Sequence, residues 1–158
     1  MGGTQFVHPQ DEQFAYQIGA MIAQEGWVLL NGGRDAGVMK ASAKGAKDNG
    51  GITVGILPVD NPDWASQYID IPIATGMGMA RNVINILSSD LIIALPGSAG
   101  TISEIALALK YGKEVILFRF EVGGWLKPFQ KEGKVYYINE VAELKTLVKE
   151  RLAIIYNY

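Results

Sequence analysis

Leu91-Ile-Ile-Ala-Leu-Pro-Gly-Ser-Ala-Gly-Thr-Ile-Ser-Glu-Ile-Ala-Leu-Ala-Leu109 decides how the rest of the chain is read. Leu91 to Leu95 are apolar without alternation, the pattern of a short strand buried on both faces of a parallel sheet. Pro96 ends it. Gly97 and Gly100 permit positive φ and carry no Cβ, so the chain can turn sharply and bring several N–H groups close to a ligand. From Thr101 the period becomes helical, with Ile102, Ile105, Ala106 and Leu109 on one stripe. A strand, a glycine turn and a helix start, in that order, form an anion site from unpaired N–H groups and the helix dipole, with phosphate as the natural guest.

The same succession recurs on both sides. Trp27 to Leu30 read as a strand running into Asn31-Gly32-Gly33-Arg34-Asp35-Ala36-Gly37, which opens a helix through about Asp48. Gly32 and Gly33 belong either to a tight turn in which Gly37 lets the helix pack on the strand, or to a second anion cradle with Arg34 beside it. Ile52 to Leu57 form the next strand, and Pro58 to Ser66 a loop whose Trp64 either stacks on a flat ring or anchors the loop. Ile69 to Ile73 is an extended segment near an edge, because Pro72 has no ladder donor. Thr75-Gly76-Met77-Gly78-Met79-Ala80-Arg81 is a third candidate turn before a helix ending near Ser89. Arg81 at the start of that helix is disfavoured by the macrodipole; a bound phosphate would offset this, and the alternatives are a salt bridge to a neighbouring carboxylate or a solvated side chain.

Further along, Glu114 to Phe118 and Val135 to Ile138 are strands. Phe120 to Gly133 is a loop or short helix, and an amphipathic helix with Val141, Leu144, Leu147, Val148 and Leu152 inward closes the chain. A helix from about Pro9 to Gln24 opens it, preceded by Met1-Gly2-Gly3-Thr4. That glycine turn alone has no strand ahead of it, which suggests a chain starting late, with a first strand missing. Strand–helix alternation predicts a Rossmann-like, doubly wound parallel α/β sheet with helices on both faces, one domain over residues 1–158. Ligands in such sheets sit outside the carboxyl ends of the strands, where the glycine turns point.

Composition narrows the function classes. The 158 residues, 49% of them hydrophobic, suffice for one core. Net charge is -2 with the 14 basic residues scattered, so no basic stripe argues for nucleic acid. The absence of cysteine excludes disulfides and thiolate chemistry and fits a reducing cytoplasm. No apolar run reaches the roughly 18 residues of a membrane span and no signal peptide is visible, so the expected location is cytoplasmic. No residue cluster resembles a metal site.

Glu104 carries two readings. Thr101-Ile-Ser-Glu104 has the spacing of a capping box, with Thr101 as cap and Glu104 returning to its N–H. Alternatively, the carboxylate faces a ligand's sugar or base, as a general acid/base or as a hold on a ring donor.

Three motifs together resemble the Rossmann-like superfamily of Lonely Guy (LOG) cytokinin-activating phosphoribohydrolases and molybdenum cofactor carrier proteins. They are Gly32-Gly33-x-x-x-Gly37-Val38-Met39, Arg81 before a helix, and Pro96-Gly-Ser-Ala-Gly-Thr-x-x-Glu104. The resemblance covers nearly the whole chain, and Thr75 to Ser89 and Ser103 to Lys110 look more like the carrier branch. The enzyme branch usually reads Pro-Gly-Gly-x-Gly-Thr-x-Glu-Glu with an Arg-Lys pair upstream. This chain has Ser98, Ser103 and Asn82 at three of those positions, but its Arg81 and Glu104 match the family's key arginine and final glutamate.

The resemblance implies a protein that binds the molybdenum cofactor, a phosphorylated pterin, with any metal arriving with the ligand. Phosphate would meet Gly97, Ser98, Ala99, Gly100 and Thr101, flanked by Gly32, Gly33, Arg34, Gly76 and Arg81. The alternative is hydrolysis of the N-glycosidic bond of a nucleoside 5′-monophosphate, with Arg81 and Glu104 as catalytic residues. It also implies a homo-oligomer, dimer or tetramer. The lysine decarboxylase label carried by some relatives would need a Schiff-base lysine, for which no setting is visible.

Overall fold

The computed structural model describes residues 1–157. Its elements alternate as expected. Helix α1 (Asp11–Gln24) precedes β1 (Leu29–Asn31), α2 (Gly37–Asp48), β2 (Thr53–Leu57) and β3 (Ile71–Ala74). Then come α3 (Asn82–Leu87), β4 (Ile92–Ala94), α4 (Ala99–Lys110), β5 (Val115–Phe118), α5 (Lys127–Lys131), β6 (Val135–Ile138) and α6 (Val141–Ile155). All strand pairings are parallel, which makes this a Rossmann-like α/β fold. The strands do not form one sheet, however: β1-β2-β3 and β4-β5-β6 are separate three-stranded halves.

Strand β5 shows why both faces must be covered. Its four residues are all fully buried, and successive side chains point to opposite faces. Ile116 and Phe118 join a core with Ala15 and Ile18 of α1, Val38 and Ala41 of α2, and Leu144 and Val148 of α6. Val115 and Leu117 join a second core with Ile86 of α3, Ile105 and Ala108 of α4, and Leu126 before α5. Helices thus lie on both sides of this half, as a parallel sheet requires.

Helices α1 and α2 pack at glycine contacts. A Cβ on Gly19 would collide with the Ser42 carbonyl, and one on Gly45 with the Tyr16 carbonyl. Helix α6 is clamped to the start of β5 by a two-pronged ion pair. Arg151 Nε donates to Glu114 Oε2 at 2.7 Å and Nη2 to Oε1 at 2.8 Å. Among the described residues, no helix is long and apolar enough to cross a membrane.

Candidate functional site

The turn after β1 is organised by Asn31, which is buried. Its Nδ2 donates to Met39 O at 3.0 Å and to Ser42 Oγ at 3.3 Å, and its Oδ1 accepts from Gly33 N at 2.8 Å. The amide therefore ties the turn to α2 and satisfies every group it buries. Gly33 has φ +73°, and a Cβ there would lie 2.8 Å from a Leu57 methyl. Its N–H and C=O are both engaged, the latter by Ser66 N at 2.8 Å. Gly33 is thus a packing glycine. Gly32 differs: a Cβ would collide with Arg81 Nη1 and Nη2 and come within 2.6 Å of Met39 Sδ. The guanidinium lies against the bare face of this turn.

Arg81 ends a single 3₁₀ turn (Gly78–Arg81) and immediately precedes α3. It is only 7% exposed, and its Nε has no hydrogen-bond partner. Burial pulls its pKa down, the Glu104 carboxylate opposes that, and Arg34 adds to the lowering. A buried guanidinium with a donor unspent is costly unless an anion completes it.

Glu104 is 8% exposed. Burial raises its pKa above the ordinary carboxylate range, against the opposing Met1 ammonium, Arg81 and the Asn85 amide. The capping-box reading of this residue is not what the structure shows. Helix α4 starts at Ala99 with Ser98 as its cap, and Ser98 makes no side-chain capping bond. Thr101 is therefore the third helical residue and Glu104 the sixth, beyond reach of the cap N–H. The helix runs earlier than its apolar period because Gly97 lets the Thr101 hydroxyl pack where a Cβ would stand. With no side-chain cap, the first-turn N–H groups of α4 remain available to a ligand.

These parts meet in a cavity of about 300 Å³ between the two half-sheets. Of the residues expected at the site, Gly32, Arg34, Arg81, Ser98, Gly100, Thr101 and Glu104 line it. Gly33, Gly97 and Ala99 are not among the lining residues. Gly76 does not join it: it is exposed, and its N–H is held by Val59 O at 3.0 Å. Trp64 is 67% exposed and also outside.

The cavity contains residues that the sequence did not single out for it. Gly2, Gly3 and Thr4 form one wall. Gly3 N donates to Pro96 O at 3.3 Å and Gly3 O accepts from Val38 N at 3.0 Å, linking the β4 turn to α2. The signal was present: Gly2-Gly3 ahead of a helix repeats the Gly32-Gly33 arrangement. Asn82 and Asn85, buried on α3, also line the cavity, and Asn85 Oδ1 has no partner. Among the described residues, no group of three or more His, Asp or Glu could hold a metal ion.

The fold and this crevice define a class: a Rossmann-like α/β protein with an uncapped helix start, a buried arginine and a single carboxylate facing one ligand space. Residues 1–146 match the model of the SLOG cluster4 family, and the chain belongs to that family. It is similar to the molybdenum cofactor binding protein of the phototrophic bacterium Rippkaea orientalis, with 42% identity, TM-score 0.84 and coverage of 94% of this chain and 91% of that one. It is likewise similar to the molybdenum cofactor carrier protein of Chlamydomonas reinhardtii, at 39% identity, TM-score 0.86 and coverage of 97% and 95%. A cytokinin riboside 5′-monophosphate phosphoribohydrolase of Mycobacterium tuberculosis is 36% identical over 100 residues, 62% of this chain and 54% of the enzyme. The chain thus spans about half the length of that enzyme. The resemblance to the carrier branch of the LOG-like superfamily holds.

Proposed function

We propose that this protein binds the molybdenum cofactor and carries or stores it, with molybdenum arriving as part of the cargo. The phosphate tail sits on the first turn of α4, at Ser98 to Thr101, with Arg81 and Arg34 neutralising its charge. Two features support a phosphate there. Arg81 Nε is buried without a partner, and Gly32 leaves open the space that a side chain would take from the guanidinium.

The observation that carries the choice of carrier over hydrolase is that Glu104 is the only carboxylate among the lining residues. Where the enzyme branch has a second glutamate stands Ser103, exposed, its hydroxyl donating to Gly100 O at 2.7 Å. Burial shifts Glu104 toward its neutral form, which lessens its repulsion of phosphate and lets the protonated carboxyl donate a hydrogen bond to a ring. A protein that holds its cargo needs nothing more. Similarity over more than nine-tenths of both chains to cofactor-binding proteins points the same way. The working form is a cytoplasmic homo-oligomer, dimer or tetramer.

The hydrolase reading rests on Arg81 and Glu104 sharing the crevice. The test is titration of purified protein with purified molybdenum cofactor beside incubation with nucleoside 5′-monophosphates. The proposal expects stoichiometric binding that Arg81→Ala weakens, and no free base. Base release that Glu104→Gln abolishes would replace it with the hydrolase.

A further inference from the structure

A phosphate seat accounts for the charged lining of the crevice and leaves its neutral polar lining unused. Helix α3 gives that wall two carboxamides, Asn82 and Asn85, three residues apart on one helix face. They are only 5% and 7% exposed. Asn31 shows how a structural amide behaves in this fold, since it spends every group it buries on α2 and its own turn. The α3 amides do not. The Asn82 carboxamide makes no hydrogen bond to any described residue. Asn85 donates to the Glu104 carboxyl, while its Oδ1 has no partner. Burying an amide unpaired is costly, so leucine at either position would serve the fold better.

Arginine and amide meet a ligand at different points. The long Arg81 side chain carries its guanidinium across to the bare face of Gly32, whereas the short Asn82 side chain stays at the α3 wall. A ligand whose phosphate lies between that guanidinium and the first turn of α4 therefore presents its uncharged part to α3. Arg34 and Arg81 are the cationic side chains of the lining, a match for the two charges of one phosphate monoester and for no second anion.

A carboxamide holds donors and an acceptor in one plane. Its complement is a rigid edge with a donor and an acceptor side by side, as in a ring lactam or an amino group next to a ring nitrogen, and side-chain amides pair with adenine in two places in this way. A sugar's hydroxyls form no such planar edge.

We infer that Asn82 is the specificity residue of the crevice, pairing in two places with the lactam or amino edge of a nitrogen heterocycle that carries one phosphate monoester. Asn85 is a positioning residue, holding the Glu104 carboxyl beside that edge. The inference rests on the phosphate seat proposed above. Pterins and purines share this edge chemistry, and the test separates them.

Calorimetric titration with 6-hydroxymethylpterin monophosphate, adenosine 5′-monophosphate, ribose 5-phosphate and inorganic phosphate reads the assignment. At least one of the two heterocycles should bind roughly tenfold or more tightly than ribose 5-phosphate. Asn82→Leu should abolish that advantage while leaving inorganic phosphate affinity and the thermal midpoint unchanged. Methylating the ring nitrogen of the preferred edge should cost the unaltered protein as much, which decides the matter even for a variant that fails to fold. A preference for the purine alone would keep Asn82 as the reader and remove the pterin reading, so the two fail separately. Heterocycles binding no better than ribose 5-phosphate, or an advantage that survives Asn82→Leu or the methylation, would overturn the inference.

Discussion

Replacing Arg81 by alanine separates binding from stability in an unusual way. A buried arginine normally stabilises its surroundings, and its loss then costs several kcal/mol because partners are left unpaired. Here Nε has no partner, and burial already depresses the pKa. Removal relieves that desolvation, but it also leaves a void beside Gly32 and Met39 and takes a favourable charge from Glu104, effects of opposite sign. The net change in unfolding free energy should stay within about 1 kcal/mol, a shift of no more than roughly 4 °C in Tm for a chain of this size. Ligand affinity should behave differently. A charge-assisted bond to phosphate contributes about 1.5–3 kcal/mol, so Arg81→Ala should weaken the cofactor roughly 10- to 150-fold. Calorimetric titration beside thermal melts reads both quantities. A loss of 3 kcal/mol or more in stability with unchanged affinity would refute the assignment and make Arg81 a structural residue.

Gly32→Ala should also weaken phosphorylated ligand, by displacing the guanidinium that its Cβ would meet, and titration against Gly33→Ala, which should instead lower Tm, distinguishes the two glycines. Glu104 predicts a pH dependence opposite to the usual acid denaturation. Its folded pKa is raised by burial, so the folded state binds more protons, and its penalty grows as pH rises from the ordinary carboxylate range through the raised value. Glu104→Gln should therefore stabilise the protein at pH 8 and change little at pH 4, as denaturant titrations at both values would show; equal effects at both would contradict it. Arg151→Ala should cost about 2–3 kcal/mol by stripping Glu114 of its two-pronged partner, leaving ligand affinity unchanged. Gly19→Ala should cost roughly 1–3 kcal/mol from overpacking at the α1–α2 contact, read by thermal melt.

The fold was legible wherever hydrophobic period and glycine punctuation agreed. Val135–Ile138 and the end of α2 at Asp48 fall where the sequence places them. Agreement failed at α4, where a capping-box spacing pointed to Thr101 while the backbone had turned helical at Ala99. The deciding contact, Thr101 Oγ1 against the bare Gly97, is tertiary and leaves no local signal. Gly76 looked like a third cradle because it shares the Gly-x-Gly pattern, yet its N–H is spent on Val59 O, a partner distant in sequence. Asn85 could have been found, since Asn82 and Asn85 stand three apart among apolar residues on one helix face. Gly2 and Gly3 read in the sequence as a turn and not as a wall of the site, because the group that Gly3 N bonds, Pro96 O in the turn after β4, lies some ninety residues away.

Chromatography for released base after incubation with adenosine 5′-monophosphate and isopentenyl-adenosine monophosphate, run beside direct binding of purified molybdenum cofactor, tests the central claim. The account predicts tight cofactor binding, lost with Arg81→Ala, and no base from either nucleotide. Base release abolished by Glu104→Gln, with no cofactor bound, would contradict it.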